Sequence, residues 1–212
     1  MTFVKICGIT NLEDALAAVD AGADALGFNF YPRSPRYIDP VLARSIIQTL
    51  PANILTVGVF VNEEKPEKVE KLARKLGVKA LQLHGDESPA FCASLANHFV
   101  IKVLALGPGF DINSILNYHV DAFMVDAFDR ASRGGTGRVI DWSVARNVCS
   151  HVPRLFLAGG LSAQNVAEGI EFVKPYGVDA CSALEISPGR KDAEKMRAFV
   201  AAARGAKIKN VK

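Results

Sequence analysis

The chain has 212 residues, half of which are hydrophobic, and its formal net charge is only +3 at neutral pH. That length suits one large domain, and the weak charge, spread along the chain, argues against nucleic acid or a membrane surface as a partner. The four cysteines and four histidines are too widely spaced to indicate a disulfide framework or a metal site.

Short apolar segments rich in β-branched residues alternate with longer segments of helical spacing along the whole chain. None of the apolar segments is long enough to cross a bilayer, and the first residues lack the apolar core of a signal peptide, so we expect a soluble, cytoplasmic protein. The apolar segments are predicted strands, at residues 3–7, 23–30, 54–61, 79–85, 100–106, 121–127, 154–160 and 178–184.

Three of the helical segments show clear end signals. The first begins at the candidate N-cap Asn11 and stops at Gly22. The segment after the third strand carries its acids first and its bases last, as the helix dipole favours, and it ends at Gly77. The segment 192–204 closes the chain in the same way.

The number of strand–helix units predicts the fold. Eight such units are typical of a (β/α)8 TIM barrel, here a single α/β domain over residues 1–212. A doubly wound open sheet has the same alternation of elements. The barrel is favoured because the first strand lacks a glycine-rich dinucleotide turn after it, and because nothing in the chain indicates a second domain.

Polar side chains gather at one end of this predicted barrel. Active sites of such barrels lie at the C-terminal ends of the strands, and side chains alternate between the interior and the outside. The residues predicted to point inward near this end are Cys7 of the first strand, Gln82 and His84 of the fourth and Asp126 of the sixth. Lys5 and Asp179 also point inward, on strands that closure makes neighbours, so we predict that they pair.

A thiol and a carboxyl group at one barrel mouth suit proton transfer. A free cysteine has a pKa of about 8.5, so modest stabilisation of its thiolate makes it a base near neutral pH, and a carboxyl group in a partly closed site can keep a proton. The alternative is a hydrolase with Cys7 as nucleophile and His84 as base. That mechanism also needs an oxyanion hole and a group that orients the histidine, and the sequence shows neither.

Two glycine-rich segments are candidate anion sites. The segment "LAGGLS" at 157–162 ends the seventh strand, where barrels commonly bind phosphate, and Ser162 is a candidate cap for the next helix. The segment "GGTG" at 134–137 is the weaker candidate, because a flexible loop explains it equally well. Three arginines surround it, namely Arg130, Arg133 and Arg138.

The loop "YPRSPRYI" at 31–38 follows the second strand and is stiffened by two prolines. Its arginines are candidates for gripping a carboxylate with two hydrogen bonds. We expect Arg36 to take this role and Arg33 to be solvated.

Eight longer motifs run from the first strand to the last helix, namely "KICGIT", "LGFNFYPRSPRYI", "VGVFVN", "LQLHGDE", "VDAFMVDA", "GGTGRVIDW", "LAGGLSAQNV" and "SPGRKD". In these motifs the chain resembles phosphoribosylanthranilate isomerase. The resemblance implies a (β/α)8 barrel that acts in tryptophan biosynthesis on a small phosphosugar, N-(5-phosphoribosyl)anthranilate. It also implies an Amadori rearrangement to the carboxyphenylamino-deoxyribulose phosphate, which needs no cofactor or metal because the iminium nitrogen is the electron sink.

By the same resemblance, Cys7 is the general base and Asp126 is the general acid. Arg36 meets the anthranilate end of the substrate. Gln82 and His84, which the alternation places inside the same mouth, are expected in the substrate site. A lyase or epimerase for another phosphosugar and a non-catalytic phosphosugar-binding barrel are the alternative functions. The thiol–carboxyl pair favours isomerisation over both, and the sequence does not settle the oligomeric state.

The phosphate of the substrate is expected between Gly159–Gly160 and Ser182–Ala183, where backbone N–H donors combine with little side-chain bulk. The family usually reads Ser-Ser-Gly-Val-Glu after the eighth strand, whereas this chain reads "CSALE", with Cys181, Ala183 and Leu184 as the departures. Ala183 fits such a site without strain if its φ is negative.

Overall fold

The computed structural model describes residues 1–107, 110–127 and 141–206, and within these residues eight parallel strands close into a barrel. Each strand pairs with the next along the chain, and closure places Lys5 of the first strand opposite Asp179 of the last. The strands are β1 (Phe3–Cys7), β2 (Ala25–Asn29), β3 (Leu55–Phe60), β4 (Ala80–Leu83), β5 (Phe99–Leu106), β6 (Ala122–Ala127), β7 (Leu155–Leu157) and β8 (Gly177–Ala180). The predicted (β/α)8 barrel is confirmed.

The helices lie between the strands and after the last one. They are α1 (Leu12–Asp20), α2 (Pro40–Thr49), α3 (Pro66–Leu76), α4 (Pro89–Ala93), α5 (Trp142–Cys149), α6 (Val166–Val173) and α7 (Ala193–Gly205). Between β5 and β6 the described residues form a 3₁₀ helix, Ile112–Asn117, where the pattern predicts an α-helix. Among the described residues, no helix is both long and apolar enough to span a bilayer.

The predicted helix ends agree with the structure at several points. The Asn11 side chain accepts a hydrogen bond from the backbone of Asp14 and so caps α1. Gly22 follows the end of that helix with a φ of +92°. Gly77 ends α3 in the left-handed conformation, with a φ of 75°, which a residue with a side chain adopts only at a cost.

The barrel separates two apolar cores, as the predicted alternation of side chains requires. Val4 and Ile6 of β1 belong to the outer core between the strands and the helices. Phe3 packs against the inner core. The buried members of the inner core are Ala25, Val57, Ala80, Ile101, Val103, Ala122, Met124, Phe156 and Ala158.

The predicted seventh and eighth strands run furthest beyond the observed C-terminal ends. The seventh ends at Leu157, because Gly159 and Gly160 take φ values of 81° and 70°, which no strand accommodates. The eighth ends at Ala180, and a 3₁₀ helix, Ser182–Leu184, follows it.

A short hairpin after this 3₁₀ helix was not predicted from the pattern. It consists of β9 (Glu185–Ser187) and β10 (Arg190–Lys191), which pair antiparallel. Gly189 takes a φ of 82° in the turn. The backbone N–H of Lys191 donates to Asp14 of α1 over 2.8 Å, so the hairpin is fastened to the first helix of the chain.

Candidate active site at the barrel mouth

The C-terminal ends of the strands bring the predicted polar side chains to one mouth. Cys7 ends β1 and Asp126 lies one residue before the end of β6, and both are buried. Gln82 lies within β4, only 1% exposed, and His84 follows that strand directly. The four residues come from three different strand ends, as catalytic groups of such barrels do.

A chain of polar contacts links Gln82, His84 and Asp126. Gln82 Nε2 lies 3.1 Å from His84 Nδ1, and His84 Nε2 lies 3.3 Å from Asp126 Oδ2. When the Gln82 amide donates to Nδ1, the proton of a neutral His84 ring sits on Nε2 and points to Asp126. His84 thus lies on the Asp126 side of the mouth. Because the hydrolase alternative needs His84 as the base for Cys7, this position counts against it.

The Cys7 thiol lies among a second thiol and two ammonium groups. A hydrogen bond from Cys181 lowers the pKa of Cys7 well below its ordinary value, in spite of burial, and the Lys5 and Lys191 ammonium groups lower it further. Burial acts in the opposite direction for a thiol, because it disfavours the charged form. The ammonium groups around Cys7 thus favour its thiolate form, which burial alone would disfavour.

Lys5 and Asp179 form the ion pair predicted inside the barrel. Lys5 Nζ lies 2.7 Å from Asp179 Oδ1, and the Lys5 side chain is fully buried. Burial favours the neutral form of Lys5, but the Asp179 carboxylate and the Cys7 sulfur outweigh it and raise the pKa of the ammonium group. Lys5 therefore stays protonated next to Cys7.

Arg36 is held by a carboxylate of its own chain. Its Nε and Nη2 donate to the two oxygens of Glu185, each over 2.8 Å. Arg36 is largely buried, whereas Arg33 is exposed, as expected. Glu185 also accepts from Lys191 Nζ over 2.9 Å, so one carboxylate joins the loop after β2 to the β9–β10 hairpin.

The loop after β7 has the backbone that the predicted phosphate site needs. Gly159 and Gly160 both have positive φ, which lets the chain turn sharply and approach a ligand without a side chain. Among the described residues, the non-glycine positions with positive φ are Asn62 and Lys174. Ala183 is not one of them, so its methyl group introduces no left-handed strain.

The prediction that Ser162 caps the following helix is wrong. The N-cap of α6 is Asn165, and Ser162 Oγ instead accepts from the backbone of Gln164 in the turn before the helix, over 3.3 Å. Asn165 holds this loop from both sides, because it accepts from Ser162 N over 2.8 Å and donates to Gly160 O over 3.0 Å. Three intervening turn residues displace the helix start.

Sequence reasoning missed Glu185, Lys191 and Asn165 as residues that hold the site together. Each lies in a motif that marked the family resemblance or next to one, but a charged or amide residue in a predicted loop gives no sign of burial. The "GGTG" segment and its arginines, Arg130, Arg133 and Arg138, lie outside the described residues.

A closed eight-stranded barrel with titratable side chains at its C-terminal mouth is the architecture of a (β/α)8-barrel enzyme. The sequence model of N-(5'-phosphoribosyl)anthranilate (PRA) isomerase matches residues 4–202. The chain belongs to this family, and it is an enzyme of tryptophan biosynthesis that catalyses an intramolecular isomerisation. The resemblance seen in the motifs is confirmed.

Individual relatives agree over nearly the whole chain. The N-(5'-phosphoribosyl)anthranilate isomerase of Pelobacter propionicus is 48% identical over 200 residues, which are 94% of each chain. The crystal structure of phosphoribosyl anthranilate isomerase from Thermotoga maritima superposes with a TM-score of 0.90 and is 42% identical, covering 97% of this chain and all of that one. A structure of a phosphoribosyl anthranilate isomerase in complex with reduced 1-(o-carboxyphenylamino)-1-deoxyribulose 5-phosphate has a TM-score of 0.87, is 42% identical and covers 97% of this chain and all of that one.

Proposed function

We propose that this chain converts N-(5-phosphoribosyl)anthranilate to 1-(2-carboxyphenylamino)-1-deoxyribulose 5-phosphate, with Cys7 as general base and Asp126 as general acid. The observation that carries the proposal is the thiol of Cys7, which shares a barrel mouth with Asp126 and whose pKa is lowered by the hydrogen bond from Cys181 and by nearby ammonium groups. The sulfur is thereby available as a base near neutral pH.

The reaction needs one proton delivered and one removed. Asp126 gives a proton to the ring oxygen of the ribose, and the C1′–O bond breaks to leave an open-chain iminium. Cys7 then takes the proton from C2′, and the electron pair moves towards the iminium nitrogen. The resulting enolamine tautomerises to the ketone when a proton leaves the C2′ hydroxyl and one arrives at C1′.

Substrate and product each carry two anionic ends, a carboxylate and a phosphate. Arg36 is assigned to the carboxylate, because a guanidinium group has five N–H donors and Glu185 engages only two of its nitrogens. Its remaining donors are held in a fixed direction. The relative solved with a reduced form of the product holds a ligand that also has both anionic ends.

The phosphate is assigned to Gly159–Gly160 and Ser182–Ala183. These residues follow β7 and β8, the strands whose loops commonly build the phosphate site of (β/α)8 barrels. The two left-handed glycines leave the backbone open, and Ser182 adds a hydroxyl donor at the start of the short 3₁₀ helix. Gln82 and His84 are assigned to the substrate wall, on the Asp126 side.

Loss of the fluorescence of freshly made phosphoribosylanthranilate tests the proposal directly. The wild-type chain should accelerate this loss and yield the ketose phosphate, and Cys7→Ala should lower kcat at least about 10²-fold, the usual scale for a lost general base. Cys149→Ala, at the end of α5, is the matched control and should retain wild-type turnover. A Cys7→Ala enzyme with near-normal turnover would refute the assignment of the base. The cytoplasmic location and the absence of a nucleic acid partner stay predictions.

A further inference from the structure

We propose that Cys181 is a positioning residue for the reaction: its thiol donates a hydrogen bond to the sulfur of Cys7 and holds that sulfur as a thiolate at the end of β1. This inference rests on the proposed role of Cys7 as the general base.

Strand pairing brings the two thiols together. β1 and β8 pair in parallel with Ile6 opposite Ala180, so the next residues, Cys7 and Cys181, leave the barrel rim side by side. The two thiols therefore lie next to each other at the rim, and each shifts the pKa of the other.

Glycines on both sides make room for the two sulfur atoms. A Cβ atom on Gly8 would lie 2.9 Å from Cys181 Sγ, and one on Gly27 would lie 2.7 Å from Cys7 Sγ. Real Cβ atoms do not approach other atoms so closely, and Gly8 also has a φ of +79°. The space for the thiol pair is therefore built into the backbone.

Cys181 has one proton to donate and two acceptors within reach. Besides Cys7, the other acceptor is Glu185 Oε1, at 3.9 Å. That oxygen already accepts from Arg36 Nε over 2.8 Å, from Lys191 Nζ over 2.9 Å and from Gly189 N over 3.3 Å. Because the carboxylate oxygen is already satisfied, the thiol proton of Cys181 is free to go to Cys7.

Lys191 holds Cys181 in place, although its positive charge by itself lowers the pKa of the Cys181 thiol. Its buried ammonium group donates to the carbonyl oxygen of Cys181 over 3.1 Å and lies 3.7 Å from Cys181 Sγ. The Glu185 carboxylate next to Cys181 disfavours a second negative charge there. The hydrogen bond to Cys7 raises the pKa of Cys181, and burial raises it further.

The formal charges around Cys7 sum to zero when Cys7 itself is a thiolate. The groups that face it come from five elements or loops and are Lys5 of β1, Arg36 of the loop after β2, Asp179 of β8, Glu185 of β9 and Lys191 of β10. Burial raises the pKa of the Asp179 carboxyl group to about 7, and the nearby Asp126 of β6 also raises it. When all are ionised, these three cations and two carboxylates leave one positive charge, which a thiolate on Cys7 neutralises.

The test is the pH dependence of alkylation at Cys7 in the full chain, with iodoacetamide as the probe and peptide mass spectrometry as the readout. Wild-type Cys7 should react with an apparent pKa below the ordinary thiol value of about 8.5. Cys181→Ala should lower the thiolate fraction at neutral pH about tenfold, because a hydrogen bond to the charged form is lost. The acid limb of the pH profile of kcat/KM should move to higher pH by about one unit, which corresponds to the same tenfold change. KM should be nearly unchanged.

Cys181→Ser is the matched variant, because a hydroxyl can donate the same hydrogen bond, and it should restore most of the wild-type profile. Cys149→Ala should leave the profile of Cys7 unchanged. An unshifted profile in Cys181→Ala overturns the proposal, even if Cys7 proves to be the base. Preferential alkylation of Cys181 in the wild-type chain also overturns it, and that readout needs no variant to fold. If Cys7→Ala retains turnover instead, the proposed function fails, whatever the alkylation profile shows.

Discussion

The two sides of the barrel mouth differ in what surrounds Cys7 and Asp126, and they are called the base side and the acid side after the roles proposed for these two residues. On the base side, formed by β1, β8 and the β9–β10 hairpin, Cys7 lies beside a thiol donor and the ammonium groups of Lys5 and Lys191. On the acid side, formed by β4 and β6, Asp126 contacts one nitrogen of the His84 imidazole, and the Gln82 amide contacts the other. A cysteine is normally the weaker acid of the two, so a thiolate at Cys7 depends on its neighbours, namely Cys181 and the two ammonium groups.

The largest effect expected on the acid side is that of Asp126→Asn. An asparagine preserves the shape but cannot give a proton to the ring oxygen, so kcat should fall at least about 10²-fold while KM changes little. Steady-state turnover measures this, with Asp20→Asn on the exposed end of α1 as the control. If Asp126→Asn kept wild-type turnover, the acid side would have to be reassigned, while the base side would be unaffected.

A smaller effect is expected at Arg36, which the proposed function assigns to the carboxylate of the substrate. Arg36→Ala should raise KM by a factor that corresponds to about 1.5–3 kcal/mol, the size of a hydrogen bond to a charged group. Arg33→Ala, in the same loop but exposed, should leave KM unchanged. A thermal melt must accompany the assay, because Arg36 also neutralises the buried Glu185. A rise in KM for Arg33→Ala alone would show that the wrong arginine has been assigned.

The smallest effect is expected at Ala183. Because the φ of Ala183 is not positive, Ala183→Gly should change the affinity for inorganic phosphate by no more than about twofold, within the usual range of a mild surface substitution. Calorimetric titration measures the affinity, and a crystal soaked in phosphate locates the ion. An ion found only at 134–137 would move the phosphate to the sixth strand and reverse the orientation of the substrate.

Much of the scaffold could be predicted from the sequence, since it depends on local periodicity. The alternation of side chains along β1 placed Lys5 inside the barrel. Because closure makes β1 and β8 neighbours, Asp179 could be predicted as its partner. The same alternation placed Cys7 and Asp126 at the mouth, because a strand end is a local property. The family resemblance then supplied the reaction, which the alternation alone could not.

The contacts that tune the site could not be predicted in this way. Glu185 and Lys191 look like ordinary polar residues of a loop, and their burial depends on a hairpin that folds back over the strand ends. The partner of Arg36 belongs to that hairpin, 149 positions along the chain, and no periodicity connects the two. The role of Cys181 depends on barrel closure followed by a turn, and its sequence neighbours show neither.

The fastening of the hairpin to α1 has a consequence for the newly made protein. Lys5 and Asp179 are 174 positions apart, and Lys191 is 177 positions from its partner Asp14. A ribosome releases β1 well before the hairpin, and contacts between such distant positions form late. A nascent chain therefore carries Cys7 without Cys181 and Lys191 beside it until β8 and the hairpin have been made. The thiol acquires the neighbours that lower its pKa only when these segments dock, so the proposed base forms late in folding.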